Sequence, residues 1–111
     1  MSKKTNEELI TRILTVPNLK AIKSMLEKDH AIDCLFLLSM DKGRWKEAKA
    51  FMQKHSLTLS DGTFRARMIE IERLGFATST LIDPLKKHYK KTEKSEKLVR
   101  LLLELFEQLA K

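Results

Sequence analysis

At 111 residues with 42% hydrophobic content, the chain has room for one domain and one modest core. Three Gly and two Pro are too few turn residues for an all-β fold, so a mainly helical domain is expected. The 22 Lys and Arg against 15 Asp and Glu leave a net charge of +7. That excess points to an anionic partner, nucleic acid or an acidic membrane surface, or else to a solvated basic surface.

The lone Cys34 cannot close an internal disulfide and fits a reducing compartment. Met1–Glu8 carries no apolar run behind its charges, unlike a signal peptide. No stretch approaches the roughly 20 apolar residues of a membrane span. A cytoplasmic protein with no membrane partner is expected.

In chain order, Thr5 is a capping residue with Glu7 and Glu8 behind it, and Leu9, Ile10, Ile13 and Leu14 follow at helical spacing. Pro17 ends or restarts that helix. Leu19, Ile22, Met25 and Leu26 predict a second helix. The nearly unbroken apolar run from His30 to Met40 predicts a central buried helix, because its length suits about three turns. Asp41-Lys42-Gly43 is a turn signal. A helix from about Arg44 to His55 then places Trp45, Ala48, Phe51 and Met52 inward. Ser60 or Asp61 caps the next, where Phe64, Met68 and Ile71 make one buried stripe and Gly75 is the stop.

Beyond Gly75 the pattern changes. Phe76–Ile82 is rich in strand formers, Asp83-Pro84 is a turn signal, and Lys86–Lys91 returns as the second strand of a hairpin. Thr92 caps a last long helix whose stripe is Leu98, Leu101, Leu102, Leu105 and Leu109, widened by Val99 and Phe106.

Two helices joined by a short connection, then a hairpin, is the order expected of a winged helix-turn-helix. The segment Leu59-Ser60-Asp61-Gly62-Thr63-Phe64-Arg65-Ala66-Arg67-Met68-Ile69-Glu70-Ile71-Glu72-Arg73-Leu74-Gly75-Phe76 resembles the recognition-helix segment of winged helix-turn-helix transcriptional regulators of the PadR, MarR and ArsR kind. His88-Tyr89-Lys90-Lys91-Thr92-Glu93-Lys94-Ser95-Glu96-Lys97-Leu98 is similar to the segment that follows the wing in those families. Lys91 stands where they carry an apolar residue and Ser95 where they carry Gly, which predicts a more loosely packed exit from the wing. The resemblance implies one domain over residues 1–111. The helix-turn-helix would span about 44–75, the wing about 76–91 and a C-terminal dimerisation helix about 92–110.

The residues admit the same site. With Phe64, Met68 and Ile71 inward, Gly62, Ala66, Ile69 and Arg73 face outward, flanked by Thr63 and Arg65. Small residues at 62 and 66 let a helix lie deep in a major groove, where Thr63 and Arg65 meet base edges and Arg67 a phosphate. Lys86, Lys87, Lys90 and Lys91, with His88 among them, suit the backbone or a minor groove. Together with Ser60 these form the expected set for double-stranded DNA, unless Arg65, Arg67 and Arg73 merely pair with Glu70 and Glu72.

Leu98, Leu101, Leu102, Leu105, Phe106 and Leu109 are expected to join two copies into a homodimer, since an uncovered stripe is a sticky patch. The alternative is that this helix packs back on its own domain with the N-terminal helix.

His30 and Cys34 stand four apart, but two ligands make no metal site, and no cofactor or metal is expected. No phosphate-binding Gly loop or nucleophile motif appears, so an enzyme is not expected. The expected function is a sequence-specific DNA-binding transcriptional regulator, a repressor. The alternatives are a protein-interaction module and a non-specific architectural DNA-binding protein. Nothing in the sequence names an effector.

Overall fold

The computed structural model describes residues 5–83 and 86–110. Over these residues the order is α1 (Asn6–Thr15), α2 (Pro17–Leu26), α3 (Ala31–Ser39), α4 (Trp45–Lys54), α5 (Asp61–Arg73), β1 (Ala77–Asp83), β2 (Lys86–Lys91) and α6 (Glu93–Leu109). The expectation of a mainly helical chain with one small hairpin and a C-terminal helix is met. The turn signal at Pro84 lies outside the described residues.

Local chemistry sets the boundaries. Thr5 accepts a hydrogen bond from the Glu8 backbone N–H, Ser60 from Thr63 and Thr92 from Ser95. Each such cap satisfies an orphan donor and is worth about 1 kcal/mol. Ser60, not Asp61, is therefore the cap of α5. Pro17 occupies the start of α2, where its missing N–H costs nothing. Gly75 ends the α5 turn at φ +88°, a conformation glycine adopts without strain.

The core is built around α3, whose Ala31, Cys34, Leu35, Leu37 and Leu38 are buried. Met25 of α2, Ala48 of α4, Phe64, Met68 and Ile71 of α5, Phe76, Ala77 and Tyr89 of the hairpin and Val99 of α6 pack around it. Aromatic contacts run from the Trp45 ring to Phe64 (5.4 Å between centroids) and on to Tyr89 (6.4 Å). They link α4, α5 and β2 in a line.

Two joints attach the hairpin. Tyr89 N–H donates to the Gly43 carbonyl at 3.0 Å. A Cβ at Gly43 would stand 1.8 Å from the Tyr89 carbonyl oxygen, so only glycine lets the α3–α4 link lie against β2. At the other joint, Thr92 Oγ1 donates to the Gly75 carbonyl at 2.9 Å and Lys94 Nζ to the Leu74 carbonyl at 2.7 Å. The same ammonium sits 4.5 Å from the centre of the Phe76 ring. The start of α6 thus clamps the end of α5.

The loosely packed exit predicted from Lys91 and Ser95 is not found. Ser95 is 1% exposed, and its hydroxyl accepts from Thr92 N–H while Thr92 accepts in return. Lys91 lays its stem inward and donates to the Ser39 carbonyl at 3.3 Å, with Glu96 3.7 Å away. A hydroxyl here does capping work that glycine cannot.

No residue of α1 is buried, and Leu9, Ile10, Ile13 and Leu14 form an exposed apolar stripe. The radius of gyration is 15.6 Å, above the about 13 Å of a compact chain of this length.

Replacing Gly43 with Ala should destabilise the domain by roughly 3 kcal/mol, because β2 and the α3–α4 link must separate. Urea unfolding monitored by Trp45 fluorescence checks this, and a midpoint equal to wild type would contradict the joint.

Candidate nucleic-acid interface

The buried stripe of α5 leaves Gly62, Arg65, Ala66, Ile69 and Arg73 exposed on the far side, as the periodicity predicts. A Cβ at Gly62 would meet nothing within 4 Å, so its smallness serves no internal packing. Ser60 is exposed and donates its hydroxyl to Thr63 Oγ1 at 2.9 Å, which ties both side chains into the helix start. Arg65 reaches back to Asp61 at 2.9 Å, an exposed pair one helical turn apart. Such pairs contribute little, about 0.3–0.5 kcal/mol, so Arg65 can exchange this partner for another anion. Arg73 is 74% exposed and 3.7 Å from Glu70.

Arg67 is placed differently. Its side chain is only 20% exposed, it lies 3.7 Å from Glu70, and its Nε is buried without a hydrogen-bond partner. Glu70, itself 12% exposed, also receives Lys28 of the α2–α3 link at 2.6 Å. One carboxylate therefore gathers Lys28, Arg67 and Arg73 and fastens the α2–α3 link to α5. The arginines at helical spacing from Glu70 were visible in the sequence. Lys28 was not, because it approaches from 42 residues away.

The hairpin is tied along α5. Ser79 lies opposite Tyr89 in the antiparallel register and donates its hydroxyl to Glu72 at 2.7 Å. Burial raises the Tyr89 phenol above its usual range, the Glu72 charge raises it further, and the Arg65 charge opposes them. Ser79 and Tyr89 share the sheet face that meets α5, and Lys87, two places nearer the turn, continues that face beyond the helix. Lys86, Lys87 and Lys90 are exposed and form no ion pair among the described residues. His88 is half-buried on the opposite sheet face with Lys90. Leu81 (67% exposed) and Ile82 (49%) stand on β1 beside these lysines.

The stripe of α6 is divided. Leu98 and Leu102 pack on the chain's own core. Leu101, Leu105, Phe106 and Leu109 are exposed, although the Phe106 ring meets Phe36 edge-on at 6.5 Å. Leu103, absent from the predicted stripe, is 53% exposed on another side of the helix. It lines an apolar cavity of about 310 Å³ with Phe36, Met40, Phe51 and Leu57.

His30 and Cys34 do not converge on a site. His30 Nδ1 is 2.9 Å from Asp33, and the Cys34 thiol is fully buried. Among the described residues no group of three or more His, Cys, Asp or Glu could hold a metal ion.

What the geometry brings together is an exposed helix face with two small residues, two exposed arginines and a hairpin carrying three exposed lysines. Such a surface can accept phosphates and approach a groove. Neither protein-family models, curated proteins nor solved structures give a match to the chain.

Burial, followed by the Asp33 charge, pushes the Cys34 thiol from 9.0 up to about 12. The folded chain should therefore be inert to a thiol-specific disulfide reagent at pH 8, with one equivalent released on unfolding. An unfolded thiol ionises first, so this group's stabilising effect holds below pH 9.0 and fades as pH rises towards about 12.

Proposed function

We propose that this chain is a winged helix-turn-helix protein that binds double-stranded DNA sequence-specifically as a homodimer and regulates transcription, as a repressor. In this reading α4 and α5 are the helix-turn-helix, α5 enters the major groove and the hairpin is the wing. The observation that carries it is the outward face of α5. Gly62 and Ala66 let the backbone approach a groove floor, and Arg65 and Arg73 stand exposed on the same face.

Arg65 has the reach and the planar fork for a guanine edge once it leaves Asp61. Thr63 serves from the helix start, and Arg73 reaches the backbone. Arg67, held inward by Glu70, orients the helix rather than meeting a phosphate directly. Lys86, Lys87 and Lys90 neutralise phosphates beside the groove, which agrees with the net charge of +7. The exposed leucines of α6 join two copies, so that two α5 helices reach successive grooves of a palindrome about 34 Å apart.

Selection from randomised duplex DNA at near-physiological salt, with the mass of the complex recorded, is the direct test. The expected outcome is a palindrome bound by two chains. Binding without a consensus would make the protein architectural, and no binding at low salt would favour a protein-interaction module. Arg65→Ala should lower affinity for the selected site about tenfold or more while changing non-specific binding little. A Lys86→Ala/Lys87→Ala variant should flatten the log–log salt dependence by about 1.8 in a titration across salt concentrations.

A further inference from the structure

We infer that α6 pairs with α6 of a second copy in antiparallel orientation, about a two-fold axis level with Leu102. The inference rests on the dimer proposed above and specifies its partner surface, direction and register.

Leu101, Leu105 and Leu109 form an exposed ridge along α6, 55%, 49% and 73% accessible. Beside that ridge runs a charged stripe, Lys97, Arg100, Glu104 and Glu107, which occupies an arc of about 80° at helical spacing. All four residues are exposed, and none forms an ion pair within the chain among the described residues. Even Arg100 and Glu104, one turn apart, do not pair.

The order of these charges is antisymmetric about Leu102. Lys97 and Glu107 lie equally far from it on either side, as do Arg100 and Glu104. Turned end for end about that point, the stripe presents each base to an acid: Lys97 to Glu107 of the second copy and Arg100 to its Glu104. In a parallel pair the two-fold axis runs along the helices, so the two stripes lie on opposite sides of the seam and none of these charges meets its complement. Leu102 is also close to the midpoint of α6, which runs from Glu93 to Leu109, so the antiparallel pair overlaps along nearly the whole helix. The apolar ridge supplies the attraction, and the charges select the direction.

The test mixes wild type with the reversed variant Lys97→Glu/Arg100→Glu/Glu104→Lys/Glu107→Lys and weighs the species by native mass spectrometry after subunit exchange. The reversed stripe complements itself but not the wild type. Two homodimers are expected, with the mixed dimer at least tenfold below its statistical share. A mixed dimer at or above that share would overturn the inference, as would a monomeric wild type at micromolar concentration.

A second measurement does not depend on the variant's folding. A spin label on Ala110→Cys, with Cys34 buried and unreactive, should report two sites about 24 Å apart along the helix axes. Labels side by side at about 10 Å would mean parallel helices and would also overturn it. Neither measurement contains DNA, so a failed selection leaves this outcome readable. A wrong orientation leaves the DNA proposal to be judged by its own selection.

Discussion

No residue of α3 is exposed, and the other elements are arranged around the need to cover it. Its Leu35, Leu37 and Leu38 contribute about 1.5–3 kcal/mol each when removed from water. A nine-residue helix whose only polar residues are Asp33 and Ser39 cannot lie at the edge of a fold. It must be enclosed, here by residues of α2, α4, α5, α6 and the hairpin. The amphipathic stripes of the surrounding helices are the complement of that demand, which is why Phe64, Met68 and Ile71 all turn towards it and α5 offers its small residues to solvent.

The same enclosure determines where the basic hairpin stands. Its root is held on one side by the Gly43–Tyr89 backbone bond and on the other by Thr92 and Lys94, which satisfy the carbonyls of Gly75 and Leu74 just past α5. Ser79 bound to Glu72 then keeps the sheet beside the helix. Lys87 is consequently held on the sheet face that meets α5, while Lys86 and Lys90 stand exposed elsewhere on the same hairpin. Side chains carried on elements fixed in this way would lose little backbone entropy on meeting a partner.

One helix and half of another do not share in the enclosure. The 10 residues of α1 bury nothing, and an isolated helix of that length is marginal in water. The distal half of α6 likewise keeps its leucines on the surface. Both features ask for a covering surface outside the chain's own core, and the charge order of α6 makes a reversed copy of itself the matching one.

The elements were largely legible from the sequence: the apolar run of α3, the stripe of α5, the caps at Thr5, Ser60 and Thr92, and the strand-forming segment before Asp83. Periodicity and capping are local, so they survive without knowledge of the fold. The outward set on α5 followed from the same period, with Arg65 and Arg73 exposed as expected. Other features were illegible because they join distant segments. Lys28 meets Glu70 across 42 residues, and this ion pair accompanies the inward placement of Arg67. Ser95 looked like a loosening substitution until its hydroxyl was seen to close the capping box. Gly43 read as an ordinary turn residue, whereas its lack of a side chain admits β2. The sequence by itself determined which residues are helical, which face of each helix is apolar and that the chain is basic, because these depend on neighbours three or four places away. Only the tertiary structure decided which cations are left free, which leucines of α6 serve the chain's own core and how the hairpin is anchored. Those depend on which remote groups are brought close enough to bond or to exclude water.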